Sequence, residues 1–196
     1  MWLTRNRRDL MPQLTPSQQF VFDQGEEVGM LAQQLYPGGV DARPTSPTNY
    51  QPALELTQQL IAEGRQVIYE AAFQFDGVLS ALDILVKRED GYYGYEIKST
   101  TSIHDINITD AAMQYWVMKN CGVELKDISI IHINKEYERE GEIELQKLFK
   151  TESVYYLVLA LQDEIAESVH ALKKEATSET CPEIHIGKQC TEPYTC

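Results

Sequence analysis

The spacing of apolar and polar positions divides the chain into a helical first third, a β-rich middle and a helical close. Thr15-Pro16-Ser17-Gln18 reads as a capping box with proline at the first helical position, and predicts a helix from Pro16 to about Leu35 that Pro37-Gly38-Gly39 stops. A second helix fits Pro52 to Glu63, with Leu56 and Leu60 on one face and Gly64 at its C-terminal cap. Three strands follow, over 67–73, 78–86 and 92–99, broken by Asp76-Gly77 and by Glu89-Asp90-Gly91, which is the spacing of a meander. Thr109 reads as the cap of a helix through about Asn120, ended by Gly122, and Ile128 to Ile133 has the β-branching of a buried strand. Strand, helix and strand in this order predict a mixed sheet. Val154 to Lys174 reads as one long amphipathic helix. Beyond Ala176 the periodicity is lost, so the expected organisation is one domain over 1–176 and a tail over 177–196.

Along the third strand side chains alternate, placing Tyr93, Tyr95 and Ile97 on one face and Gly94, Glu96 and Lys98 on the other. A carboxylate and an ammonium thus emerge side by side. By itself this says little, because ordinary usage gives on the order of one Glu-x-Lys in a chain of this length. Glu124-Leu125-Lys126 is a second copy, in what reads as turn-like sequence beyond a helix end. Glu96 differs in its company. Asp83 lies within Val78 to Val86, where a charge among aliphatic residues needs a partner or a metal. Pairing the two strands as a hairpin brings Asp83 and Glu96 within reach of one hard cation such as magnesium, and Glu70 on the first strand offers a third carboxylate. The plainer alternative is a sheet salt bridge between Asp83 and Lys98, with Glu96 on a solvated face.

Composition adjusts this picture at two points. The 196 residues are 43% hydrophobic, enough for a real core, and no apolar run is long enough to span a bilayer. The basic start, Arg5, Arg7 and Arg8, leads into polar sequence rather than a signal-peptide core, so a cytoplasmic location is expected. The net charge of -13 argues against a polyanionic partner unless carboxylates are gathered around a cation that inverts the local field. Arg5, Arg7, Arg8, Lys173 and Lys174 are candidate guides for a strand, or simply solvated helix faces.

Asp83 followed by Glu96-Ile97-Lys98 resembles the signature of the PD-(D/E)XK nuclease superfamily, in its RecB-like branch. In that branch a helix after the lysine strand carries a glutamine, and here Gln114 falls in Asp110-Ala111-Ala112-Met113-Gln114-Tyr115-Trp116-Val117. The runs Gln24 to Gly29 and Leu35 to Val40 also look like an uncharacterised bacterial family of the branch. The resemblance implies an α/β, restriction-endonuclease-like core with a central mixed sheet flanked by helices. It implies a metal-dependent deoxyribonuclease, exonuclease in type, acting on single-stranded DNA or duplex ends in repair or defence. Magnesium, or manganese, would be held by Asp83, Glu96 and the carbonyl of Ile97, with Lys98 orienting or activating the attacking water and Gln114 positioning backbone or water. For Gln114 the plain alternative is a polar residue on a partly exposed helix.

The chain also departs from the branch. A histidine spaced Gly-x-x-x-His is replaced by Gly25 and Gly29, and the tyrosine one turn after the glutamine is Met118. The segment from Ile186 to Cys196 resembles the cysteine-rich end of iron–sulfur nucleases, which would make Cys190 and Cys196 ligands of a 4Fe-4S cluster in a longer protein. Such clusters mostly need four thiolates, and no cysteine precedes Cys121, so the chain reads as a fragment whose cluster is incomplete. Zinc and free thiols are alternatives, whereas a disulfide is not expected in the cytoplasm. Cys121 reads as an apolar filler, and His104, His132, His170 and His185 as structural. The competing function is a catalytically weak module of the same fold that binds a protein partner.

Overall fold

A two-residue turn at Asp76-Gly77, both at positive φ (47° and 75°), folds Val67–Phe75 back on Val78–Arg88, as an Asp-Gly pair favours. In the computed structural model, which describes residues 2–11, 13–46 and 49–192, these are the second and third of six strands. The strands are β1 (Val40–Asp41), β2 (Val67–Phe75), β3 (Val78–Arg88), β4 (Gly91–Lys98), β5 (Leu125–Ile133) and β6 (Phe149–Ser153). They form one sheet in sequence order, parallel between β1 and β2 and between β4 and β5, antiparallel elsewhere. The helices are α1 (Trp2–Asn6), α2 (Pro16–Gln33), α3 (Gln51–Ala62), α4 (Asp105–Asn120), α5 (Leu145–Leu148), α6 (Tyr155–Ala160) and α7 (Gln162–Ala176). This is an α/β arrangement with a mixed sheet flanked by helices, in agreement with the expected class. No helix among the described residues is long and apolar enough to cross a membrane.

The sheet separates two layers of core. On one side Leu82, Ile128 and Ile130 pack with Leu60 of α3, Tyr115 and Met118 of α4, Val158 of α6 and Ile165 of α7. On the other, Ile84, Val86, Tyr95 and Ile131 pack with Ala32 and the partly buried Val28 and Leu31 of α2 and with Leu35 just beyond the helix. The capping box at Thr15 is present as expected, with Gln18 N–H donating to Thr15 Oγ1 and Thr15 N–H to Gln18 Oε1.

Three expectations need correction. α4 begins at Asp105 rather than after Thr109, because Asn107 Oδ1 accepts the His104 N–H at 2.9 Å and closes the helix start. Thr109 sits inside the first turns, its hydroxyl donating to the Asp105 carbonyl one turn back. Leu125 and Lys126, read as turn-like, begin β5. The long C-terminal helix is two: Gln162 Nε2 donates to the carbonyls of Val158 and Ala112, tying the chain to α4 where α6 gives way to α7. β6 escaped notice because Phe149-Lys150-Thr151-Glu152-Ser153 is an edge strand with one buried residue, and edges are kept polar.

Candidate functional site

Along β2 and β3 the side chains alternate between the two core layers, except at one place. Ile68 and Ala71 both belong to the α4 side, with Tyr69 on the α2 side, and Leu82 and Leu85 both belong to the α4 side, with Ile84 on the α2 side. Each strand therefore carries one residue outside the alternation, Glu70 and Asp83. The register runs Tyr69↔Ile84 and Ala71↔Leu82, so these two residues stand opposite each other without a paired bridge between them. Glu70 has φ of 54°, a left-handed backbone that costs a non-glycine residue roughly 1–2 kcal/mol. Strain of this kind is tolerated where the surroundings impose it, and it gathers at sites.

The slip brings Glu70 and Asp83 to a cleft of about 310 Å³, lined also by Gly25, Glu26 and Gly29 of α2, by Arg43 and by Ile97. The antiparallel ladder between β3 and β4 stops at Ile84↔Tyr95. Just beyond, Asp83 Oδ2 accepts the Ile97 N–H at 2.6 Å, so the carboxylate takes a main-chain donor where the strands part. Arg43 reaches across the cleft, donating to Glu26 at 2.7 Å and to Glu70 at 3.1 Å.

On the α4 side of the same strand end lies a second network. Glu96 is 6% exposed. Lys98 Nζ donates to Glu96 Oε1 at 2.7 Å and to Asp110 Oδ2 at 2.5 Å, and Gln114 Nε2 donates to Glu96 Oε2 at 2.8 Å. Gln114 Oε1 is buried with no partner. Asp110 and Gln114 are four residues apart on α4, so one helix face presents both.

Burial sets the electrostatics. It holds the Asp83 carboxyl well above the usual carboxylate range, with Glu96 and Glu70 adding repulsion that the Ile97 N–H and Lys98 only partly offset. Glu96 is raised by burial against the opposing pull of Lys98. Glu70 is raised by burial too, with Arg43 opposing. Burial works against the charge of Lys98, yet Glu96 and Asp110 more than offset it and hold the ammonium firmly protonated.

These residues fit a small divalent cation by the chemistry of their donors. The carboxylates of Asp83 and Glu96, the carbonyl of the residue between Glu96 and Lys98, and the orphaned amide oxygen of Gln114 are all oxygen donors of the kind such an ion takes, and among the described residues no ion pair is made by Asp83. Among the described residues no group of three or more His, Cys, Asp or Glu is gathered that could hold a metal ion.

Of the residues singled out in the sequence, Asp83, Glu70 and Ile97 share the cleft, while Glu96, Lys98 and Gln114 share the adjoining network, and the Ile97 peptide joins the two. The salt bridge between Asp83 and Lys98 is not formed. Gln114 is buried rather than partly exposed. Cys121 is exposed, its thiol donating to the Gln74 carbonyl, so it is no core filler. Cys181 and Cys190 are free, and Cys196 lies outside the described residues. Sequence reasoning passed over Asp110, whose signal is its spacing to Gln114, and Arg43 and Glu26, which carried no signal of their own.

No family model and no curated protein matches the chain. Among solved structures it is similar to an alkaline exonuclease (LHK-Exo) from Laribacter hongkongensis, at 14% identity over 86% of this chain and 89% of that one, with a TM-score of 0.32. It is also similar to the protein SSO0001, at 13% identity over 84% and 73% of the two chains, with a TM-score of 0.28.

Proposed function

We propose that the chain is a metal-dependent nuclease that hydrolyses phosphodiester bonds of DNA, with its site at Asp83, Glu96, Lys98 and Gln114. The observation that carries this reading is the paired slip in β2 and β3, which places a desolvated Asp83 on the Ile97 N–H, between the carboxylates of Glu70 and Glu96. Asp83, Glu96 and the Ile97 carbonyl would hold magnesium or manganese, with Glu70 alongside. When bound, such an ion polarises a phosphoryl oxygen and lowers the pKa of its water.

The chain's own groups have separate tasks. The Ile97 N–H fixes the Asp83 carboxylate, and Gln114 fixes that of Glu96. Lys98, kept protonated between Glu96 and Asp110, acts as a fixed positive charge that orients the attacking water and meets the charge developing on the phosphate. It is not the base. Among the described residues, Arg43 is the one basic side chain lining the cleft.

One observation favours a second reading, a catalytically weak module that binds a protein partner. Lys98 is spent on two carboxylates and is not among the residues lining the cleft with Asp83. Incubation with linear single-stranded and duplex DNA in magnesium or manganese separates the two. The nuclease reading expects metal-dependent cleavage by the wild type and none by Asp83→Ala; a wild type that leaves both substrates intact rejects it.

A further inference from the structure

Main-chain bonds on both sides fix the place of Arg43. The Ala42 N–H donates to the Tyr69 carbonyl at 2.9 Å, on the peptide that leads into the strained Glu70. The Arg43 N–H donates to Asp41 Oδ1 at 2.8 Å, an Asx turn at the end of β1. The side chain is thereby set between carboxylates on two separate elements. Its Nη1–H donates to Glu26 Oε1 of α2 at 2.7 Å, and its Nη2–H to Glu70 Oε1 of β2 at 3.1 Å. A planar fork can span two carboxylates at once, which a point charge such as an ammonium does less well.

The two partners are unequal. The Glu26 side chain is 57% exposed and keeps its water, whereas that of Glu70 is 23% exposed and repels the charge of Asp83. The longer bond is thus on the carboxylate that gains more from a stronger cation. Among the described residues the cleft is lined by three carboxylates, Glu26, Glu70 and Asp83, and by one guanidinium. In their ionised forms they lack two positive charges, those of one divalent ion. With Arg43 on both glutamates, no three acidic groups among the described residues are gathered that could hold such an ion.

We propose that Arg43 is a tethered cation that competes with the divalent ion for Glu70, so that metal enters the cleft by displacing the guanidinium from β2. The proposal rests on the cation site of the nuclease reading and adds how its occupancy is set. Glu26 keeps hold of Arg43 after the exchange, and the N–H groups that served Glu70 become free for an anionic oxygen. Order follows from this. Before the exchange the guanidinium is engaged by two carboxylates that repel an anion; afterwards one edge of it is open beside the ion. Metal and anion therefore favour each other's binding, as linkage requires of two ligands that select the same arrangement.

The test is calorimetric titration of manganese into the full chain at fixed pH and ionic strength. Giving up a half-exposed ion pair lowers affinity by up to about fivefold, so Arg43→Gln should bind manganese about fivefold more tightly than the wild type. A residue that only braced the cleft would give the opposite result, weaker binding. Glu26→Gln leaves Arg43 to Glu70 alone and should weaken binding. That effect should vanish in the Arg43→Gln background, because Glu26 acts through Arg43. The movement itself is read from the proton–nitrogen NMR signals of the arginine side chains. The signal missing from Arg43→Gln should shift when magnesium is added to the wild type and stay in place in Asp83→Asn. Binding by Arg43→Gln no tighter than the wild type's, a Glu26→Gln effect that persists without Arg43, or an unmoved arginine signal overturns the inference. The nuclease reading fails separately, when all these responses appear and neither metal supports cleavage of DNA. The inference fails alone when the wild type cleaves DNA and Arg43→Gln gains no affinity for manganese.

Discussion

The tripeptide Glu-x-Lys occurs at both ends of the parallel pair β4 and β5, and the two copies are turned inside out relative to each other. At Glu96-Ile97-Lys98 the charged residues point inward: the Glu96 side chain is 7% exposed and Lys98 22%, and both are tied to α4. At Glu124-Leu125-Lys126 it is Leu125 that is buried, opposite Tyr92, while Glu124 and Lys126 face solvent and Lys126 lies along Gly91. The motif is the same; the pleat is in the opposite phase. What makes one copy a candidate site is the slip beside it, which sets Asp83 against the Ile97 N–H, and the helix that brings Asp110 and Gln114 over it.

The sharpest way to break this comparison is to remove the two lysines in turn. Lys98→Ala should cost about 10²–10³ in single-turnover cleavage rate, the scale seen when a fixed donor to developing charge is lost. It should also lower unfolding free energy in urea by about 3 kcal/mol, since it strands a buried carboxylate. Lys126→Ala should leave cleavage within about twofold and stability within about 0.5 kcal/mol. Equal losses at both lysines would erase the distinction.

A second contrast uses backbone rather than charge. Glu70→Gly should raise the urea-unfolding free energy by about 1–2 kcal/mol, by relieving the left-handed backbone, while lowering activity. Glu124→Gly has no such strain to relieve and should gain nothing. A Glu70→Gly variant that is both less stable and fully active would mean that the strained residue serves packing alone.

The smallest expected effect is on pH. Burial raises both Asp83 and Glu96 in the folded chain, so the folded state holds these protons more tightly than the unfolded chain does. That stabilisation is complete below the unfolded carboxylate value of about 4 and is lost as pH rises through the raised values. Without divalent metal the urea midpoint should therefore climb as pH falls from neutrality toward the weakly acidic range. Asp83→Asn should flatten the climb, and saturating magnesium should reduce it by favouring the ionised forms.

Much of this was legible in the sequence because strong local signals agreed with the tertiary outcome. Asp76-Gly77 set the first hairpin, Gly64 and Gly122 closed α3 and α4, and the predicted alternation along β4 put Glu96 and Lys98 on one side and Tyr95 and Ile97 on the other. The slip at Glu70 and Asp83 was not legible. Strict period-two counting runs straight through it, and only contacts between the strands reveal that both lose one step at the same level. Arg43 follows a two-residue strand held by β2, so no periodicity marks it. Asp110 was within reach, as its four-residue spacing to Gln114 is a helical pattern.

The most direct test is calorimetric titration of manganese into the wild type, Asp83→Asn and Lys126→Ala. If the carboxylates of Asp83 and Glu96 beside Ile97 form a cation site, the wild type and Lys126→Ala should bind the ion alike, and Asp83→Asn should lose that binding. Manganese binding that is absent from the wild type, or unchanged by Asp83→Asn, would contradict it.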